Sequence, residues 1–334
     1  MIRLIQFIHP QHGRRVGIVE EPTITMLNAV SSYEMFKNVV DSNKGLSFIE
    51  GLRTSDTISY DDIYYSRHGF RTLSPIDCPG QPMMCILSGT GLTHKTSADN
   101  RNKMHDGQTR NELTDSMKMY LLGEQGGKPE ANQIGVQPEW FYKGNGLSLK
   151  AHGDPLTVPG YADDGGEEPE IAGIYLVSDK GVPCRLGFAQ ANEFSDHIME
   201  KKNYLYLAPS KLRDCCIGPE LVLQREFNSV PGEVSIIRNG SVYWSKKIAT
   251  GEEAMSHSLV NLEHHHFKYP QHRIPGQLHI HFFGASAFSF GEKVQLIDSD
   301  EMSVSFQDMG RPLVNPLKIL KKQTEITSVS VPRS

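Results

Sequence analysis

Three glutamates carry the clearest chemistry in this chain. In the segment DDGGEEPEIAGIYLVSDKG, residues 163–181, Glu168-Pro169-Glu170 runs directly into the apolar stretch IAGIYLV. Alternate residues of a strand face the same side, so Glu168 and Glu170 are expected to present two carboxylates about 7 Å apart on one face. Two like charges held together call for a cation. Pro169 removes only its own amide donor, which a strand start or edge tolerates. A third carboxylate, Glu193 in GFAQANEFSDH, follows at a separation suited to a strand, a turn and a second strand returning to the same place. Three carboxylates completed by water form a hard, oxygen-only site of the kind taken by Mg2+, Mn2+ or Ca2+. The bland alternative is that Glu167, Glu168 and Glu170 are a solvated acidic turn, as acidic runs usually are.

Two other constellations suggest chemistry and fail on inspection. GTGLTHKT, residues 89–96, nearly spells a phosphate-binding loop, but His94 stands where that loop needs a glycine to expose its amides. His279-Ile280-His281, with His264, His265 and His266, could suggest a zinc or cupin-type site, yet no glutamate follows His281 closely. Burial in the interior or at a subunit contact is the favoured reading for these histidines.

The elements that must position these side chains are mostly strands. Residues 2–8 and 15–19 read as strands, and 32–41 has helical spacing of Tyr33, Phe36 and Val40, which together predict a small N-terminal α/β unit over residues 1–78. A Gly-, Pro- and Asp-rich connector over residues 66–81 leads into a strand-rich unit at 79–318. There the apolar runs MMCILSG, IAGIYLVS, LVLQREF, VSIIRNGSVYW and LHIHFFGASAFSF alternate with turns. Asn239-Gly240 between two apolar runs is a two-residue hairpin signal, because both positions tolerate positive φ. Helices are expected near 111–122 and 193–202, and the polar tail 319–334 should be poorly ordered unless it docks. The fold class read from this pattern is α+β.

Composition narrows the function. Thirty-four Lys and Arg against 39 Asp and Glu give a net charge of −5, which argues against a nucleic-acid partner. No window has the apolar length of a membrane span, and the N-terminus lacks a signal-peptide core, so a cytoplasmic, membrane-free protein is expected. Five cysteines, an odd count without a C-x-x-C pair, suit a reducing compartment.

Several motifs, in order over residues 83–290, resemble the fumarylacetoacetate hydrolase superfamily. Its E-x-E and following apolar residues look like Glu168-Pro169-Glu170-Ile171-Ala172-Gly173. Its N-D-x-S-A-R-D segment is similar to Asn192 through Ile198, with Glu193 replacing the metal-binding Asp and His197 standing where the family has Arg. The K-S-x-D…G-P stretch looks like Lys211-Leu212-Arg213-Asp214 and then Gly218-Pro219. P-x-x-F-x-K matches Pro138 to Lys143, and the histidine loop N-Y-x-x-H-x is approximated by residues 88–95 around His94. The run P-G-D…T-G-T-P is represented by Pro275-Gly276-Gln277 and Phe283-Gly284-Ala285-Ser286, without the threonine and proline. These departures suggest a divergent, sugar-acid branch resembling 2-keto-3-deoxy sugar acid dehydratases.

The resemblance implies a strand-rich catalytic unit of mixed β-roll or sandwich form, a 2-keto acid substrate and a homodimer. It places Glu168, Glu170 and Glu193 on the metal. A chelated 2-keto acid could lose a C3 proton to give a cation-stabilised enolate, and expulsion of a C4 hydroxyl from a pentonate-like substrate would complete a dehydration. The alternatives are C–C hydrolysis of an acylpyruvate or 2,4-diketo-3-deoxy sugar acid, and a catalytically inactive sugar-acid-binding protein. His94 is the expected acid/base group, because imidazole suits proton transfer near neutral pH. Lys211 would hold the substrate carboxylate or departing oxygen, with Lys143, Gln190 and Ser286 on the substrate side.

Overall fold

The computed structural model describes residues 1–42, 44–99 and 114–332. Two sheets organise them, one of 13 strands and one of five. The centre of the large sheet is the hairpin Pro169–Val177 and Pro183–Asn192, paired antiparallel from Pro169↔Asn192 to Val177↔Pro183. Leu278–Phe282 flanks Pro169–Val177, and Cys85–Gly89 pairs parallel to Leu278–Phe282. On the other side the hairpin reaches Glu220–Val222, and through it Arg3–His9, Gly13–Glu20, Thr23–Leu27 and Arg53–Ser59.

Alternation along Pro169–Val177 explains why every residue in it is buried. Ile171 and Tyr175 pack into a core shared with Val234, Ile236, Met302 and Val304 of the five-stranded sheet, so the two sheets meet face to face. Ala172, Ile174 and Leu176 face a second core with Met35, Phe36 and Val39 from the helix Ser32–Asp41. Burial on both faces produces the continuous apolar run that the sequence shows. The helix spans the residues its periodicity predicts, capped by Ser31, whose side chain accepts from the Glu34 amide.

The first 78 residues add their strands to the same sheet as the later chain, with no break at the connector. Arg71–Thr72 pairs with Phe7 and Ile8, and Asp77 takes Arg14 at 2.6 and 2.9 Å and Gln6 at 2.9 Å. The predicted hairpin forms as Val230–Arg238 and Ser241–Thr250, with φ of 52° at Asn239 and 73° at Gly240. Other expectations need correction. The run 221–227 yields only the strand Glu220–Val222. The helix expected at 193–202 begins at His197, because Asp196 caps it and Ser195 still bridges to Gly166. The helix expected at 111–122 is observed as Asp115–Gly126, and residues 111–113 lie outside the described residues. The tail docks at its start, where the Leu320 and Gln323 amides bond Val158 and Gly160 carbonyls.

Candidate metal centre

The central hairpin brings the three glutamates together. Glu168 precedes the first strand, Glu170 is its second residue, and Glu193 follows the last residue of the returning strand, where its amide donates to the Glu168 carbonyl at 2.9 Å. One carboxylate oxygen from each lies within 4.8 Å of the others, and all three residues are buried. Among the described residues no other set of His, Cys, Asp or Glu converges in this way.

Three buried carboxylates are costly unless neutralised. Lys211 donates from Nζ to Glu168 Oε1 at 2.6 Å, Glu193 Oε2 at 2.8 Å and Ser195 Oγ at 3.1 Å. Lys143 Nζ lies 2.8 Å from Glu193 Oε1 and also donates to the Phe194 carbonyl. Lys211 Nζ sits 5.0 Å from the centre of the Phe141 ring, and Lys143 is two residues further along the strand that carries that ring. Glu168 also meets His197 Nε2 at 3.2 Å, and the imidazole is stacked against Phe288 at 4.9 Å and Phe290 at 5.2 Å. Glu170 has a different partner, the Gly284 amide at 2.7 Å. Gly284 has φ +98°, and a Cβ there would fall 2.1 Å from Thr93 Oγ1, so only glycine brings this amide so close.

Charge is therefore distributed unevenly. Burial pushes Glu168 up, but Lys211 and His197 outweigh it and hold the carboxyl well below its ordinary range. Burial raises Glu193, and the two lysines offset it only in part. Glu170 is driven well above the ordinary range by burial and by the charges of Glu193 and Glu168. The donor set thus fits a divalent cation: three hard oxygens converge, and the one carboxylate without a cationic partner at hydrogen-bond distance is the one a metal would keep ionised.

The other sequence candidates are placed as follows. His94 is buried and bonded on both ring nitrogens, to Thr93 Oγ1 at 2.9 Å and Thr250 Oγ1 at 3.1 Å; burial lowers it to about 4. Thr93 Oγ1 donates to the Phe283 carbonyl, which puts the His94 loop beside Gly284, whose amide holds Glu170. Ser286, two residues past Gly284, has a buried Oγ with no hydrogen-bond partner. Lys143 serves Glu193 instead of pointing to open space. Gln190 is used elsewhere: its Nε2 donates to the Arg311 carbonyl and its Oε1 accepts from the Phe306 amide at 3.0 Å, tying the large sheet to the small one. The structure does not bring Gln190 to the carboxylates, because its face of the strand meets the second sheet.

Sequence reasoning gave no role to His197, Ser195, the Gly284 amide or the aromatic pair around His197. The alternation Phe288-Ser289-Phe290 was the available signal for a ring sandwich. Of the histidines held apart from the metal reading, His266, His279 and His281 pack as an interior cluster, while His264 is half-buried. His266 Nε2 meets His279 Nδ1 at 3.0 Å, Trp140 Nε1 donates to His266 Nδ1 at 3.2 Å, and His281 bonds the hydroxyls of Ser88 and Thr90 at 2.9 and 2.8 Å.

No family model and no curated protein matches the sequence. The fold does match solved structures. A hexagonal crystal form of 2-keto-3-deoxyarabinonate dehydratase aligns at TM-score 0.71 and 21% identity, over 96% of this chain and 100% of that one. The 2-keto-3-deoxy-D-arabinonate dehydratase complexed with magnesium and 2,5-dioxopentanoate aligns at 0.70 and 21%, with the same coverage. A 2-hydroxyhepta-2,4-diene-1,7-dioate isomerase from Mycobacterium marinum aligns at 0.59 and 15%, over 96% and 99%. Motif order and three-dimensional likeness converge on one architecture, the strand-rich fumarylacetoacetate hydrolase type, in a divergent sequence. No helix among the described residues is long and apolar enough to cross a membrane.

Proposed function

We propose that this chain is a divalent-cation-dependent enzyme that removes water from a 2-keto-3-deoxy sugar acid. The observation that carries the reading is the convergence of Glu168, Glu170 and Glu193, all buried and with Glu170 lacking a cation at hydrogen-bond distance, on a fold shared with a dehydratase crystallised with magnesium. Glu168, Glu170 and Glu193 would hold the ion, with Mg2+ favoured and Mn2+ or Ca2+ as alternatives. The cation would supply a counter-charge for the substrate carboxylate and for negative charge growing on the keto oxygen as the C3 proton departs.

The chain's own groups do the rest. Lys143 fixes one oxygen of Glu193 and Lys211 spans the other and Glu168, so the carboxylates are set before substrate arrives. Lys211 would meet an anionic substrate oxygen with the donor it now gives to Ser195 Oγ. His94, neutral at ordinary pH, takes the C3 proton once Thr250 releases Nε2, and returns it to the departing C4 hydroxyl. Ser286 offers its unpartnered hydroxyl to the sugar chain.

Incubation with Mg2+ and each substrate class tests this. A semialdehyde product from a 2-keto-3-deoxypentonate supports dehydration. Pyruvate plus a second acid from a diketo acid would replace it with C–C cleavage, and tight binding without turnover across a metal panel would make the protein a sensor.

A further inference from the structure

Beside the metal centre lies a cavity of about 540 Å³, between the turn 159–166, the start of the helix His197–Lys202, the segment 289–296 and the chain end around Leu317–Lys322. Its body is apolar: Val158, Phe290, Leu296 and Leu317 line it. Ile198, Ile319 and Leu320 also line it although they are 39%, 41% and 47% exposed, an arrangement that leaves aliphatic surface facing water. That volume and lining match a small-molecule site.

The polar features of the cavity are few. Its inner wall is His197, 2% exposed, whose Nε2 is taken by Glu168 while Nδ1 is buried with no hydrogen-bond partner. Buried polar atoms normally find partners, so an orphan nitrogen in a cavity wall asks for one. At the rim Lys201, Lys293 and Lys322 outnumber Asp163 and Asp164, and Asp163 is already paired with Lys202 at 2.7 Å. The remaining positive charge selects an anion over a cation.

The geometry points to a second ligand site, distinct from the metal centre, for an amphipathic monoanion: an aliphatic chain seated on Leu296, Leu317 and Ile319, with a carboxylate drawn to Lys201 and Lys293. His197 forms the partition between the two sites, so the ligand lies against the back of the group that orients Glu168.

Titration calorimetry of the full chain with decanoate tests the site. Saturable binding at roughly millimolar concentration or tighter is expected, with decylammonium binding at least tenfold more weakly. Leu296→Trp fills the cavity and should weaken decanoate at least tenfold. Ile319→Asp, on an exposed position that tolerates charge, should do the same, which keeps the test intact if the first variant misfolds. Mg2+ with oxalate should not displace decanoate. The site is overturned by absence of saturable binding, by equal binding of the two detergents' head groups, by displacement with Mg2+ and oxalate, or by unchanged affinity in a folded variant.

Discussion

The carboxylate centre and the histidine cluster are both buried, and one strand links them: Pro169–Val177 carries Glu170 near its start and pairs Gly173 with His281 and Tyr175 with His279 further along. They settle their polar groups in opposite ways. The imidazoles are neutral and bond one another, a tryptophan, two hydroxyls and an amide. Of the carboxylates, Glu168 and Glu193 are met by two lysines and a histidine, whereas Glu170 has an amide and no cation at hydrogen-bond distance. Closure of one network and incompleteness of the other is what separates a structural polar core from a site that awaits an ion.

The largest effect should come from removing the least neutralised ligand. Glu170→Ala is expected to lower Mg2+-dependent turnover by more than about 10³-fold and to abolish most Mg2+ binding while circular dichroism stays native. Retained activity would end the contrast. Next, Lys211→Met leaves Glu168 and Glu193 facing each other, and denaturant unfolding should show a loss of about 3–5 kcal/mol, partly restored by saturating Mg2+. Failure of Mg2+ to restore any of it would mean that no ion binds beside Glu168 and Glu193. In the other cluster, His279→Phe strands His266 Nε2 and should cost about 1–3 kcal/mol, with Mg2+ affinity unchanged; a shift in affinity would show that the two networks are not independent.

The effect that is small at neutral pH and grows only with acid is on the acid limb of stability. Burial, with neighbouring imidazoles, holds His279 and His281 at about 3 in the folded state, against an ordinary 6.5. Between those values the unfolded chain binds more protons than the folded one. The stabilising contribution is therefore complete above pH 6.5 and is lost as pH falls below it, at up to about 1.4 kcal/mol per pH unit for each histidine. His281→Gln should flatten the dependence of unfolding free energy on pH between 6.5 and 4 by about one such increment, and an unchanged slope would refute the assignment.

Legibility in the sequence followed the range of the interactions. Glu168, Glu170 and Glu193 were readable because a period of two and one hairpin return bring them together, and Asn239-Gly240 because its turn is local. Gln190 was misplaced because its partners, Arg311 and Phe306, lie more than a hundred residues downstream. Lys143 reads from the sequence as a substrate-side group, and its pairing with Glu193 was not legible because sequence gives no measure of which carboxylate a buried ammonium meets. His197 stood in view as a departure from a motif, and its role needed Phe288 and Phe290 to arrive from another part of the chain.

The shared edge of the strand Arg3–His9 has a consequence for synthesis. Its residues Phe7 and Ile8 find Arg71–Thr72 early, but Arg3, Leu4 and Ile5 pair with Glu220–Val222. At a ribosomal pace of about 5–20 residues per second, that half of the edge waits roughly 10–40 s for its partner. During this interval two residues that end fully buried, Leu4 and Ile5, lie on an open strand edge. Nascent chains are thus exposed to mispairing with one another at a strand that only Glu220–Val222 later separates from the central hairpin, and slow translation between the two segments should lower the yield of native protein.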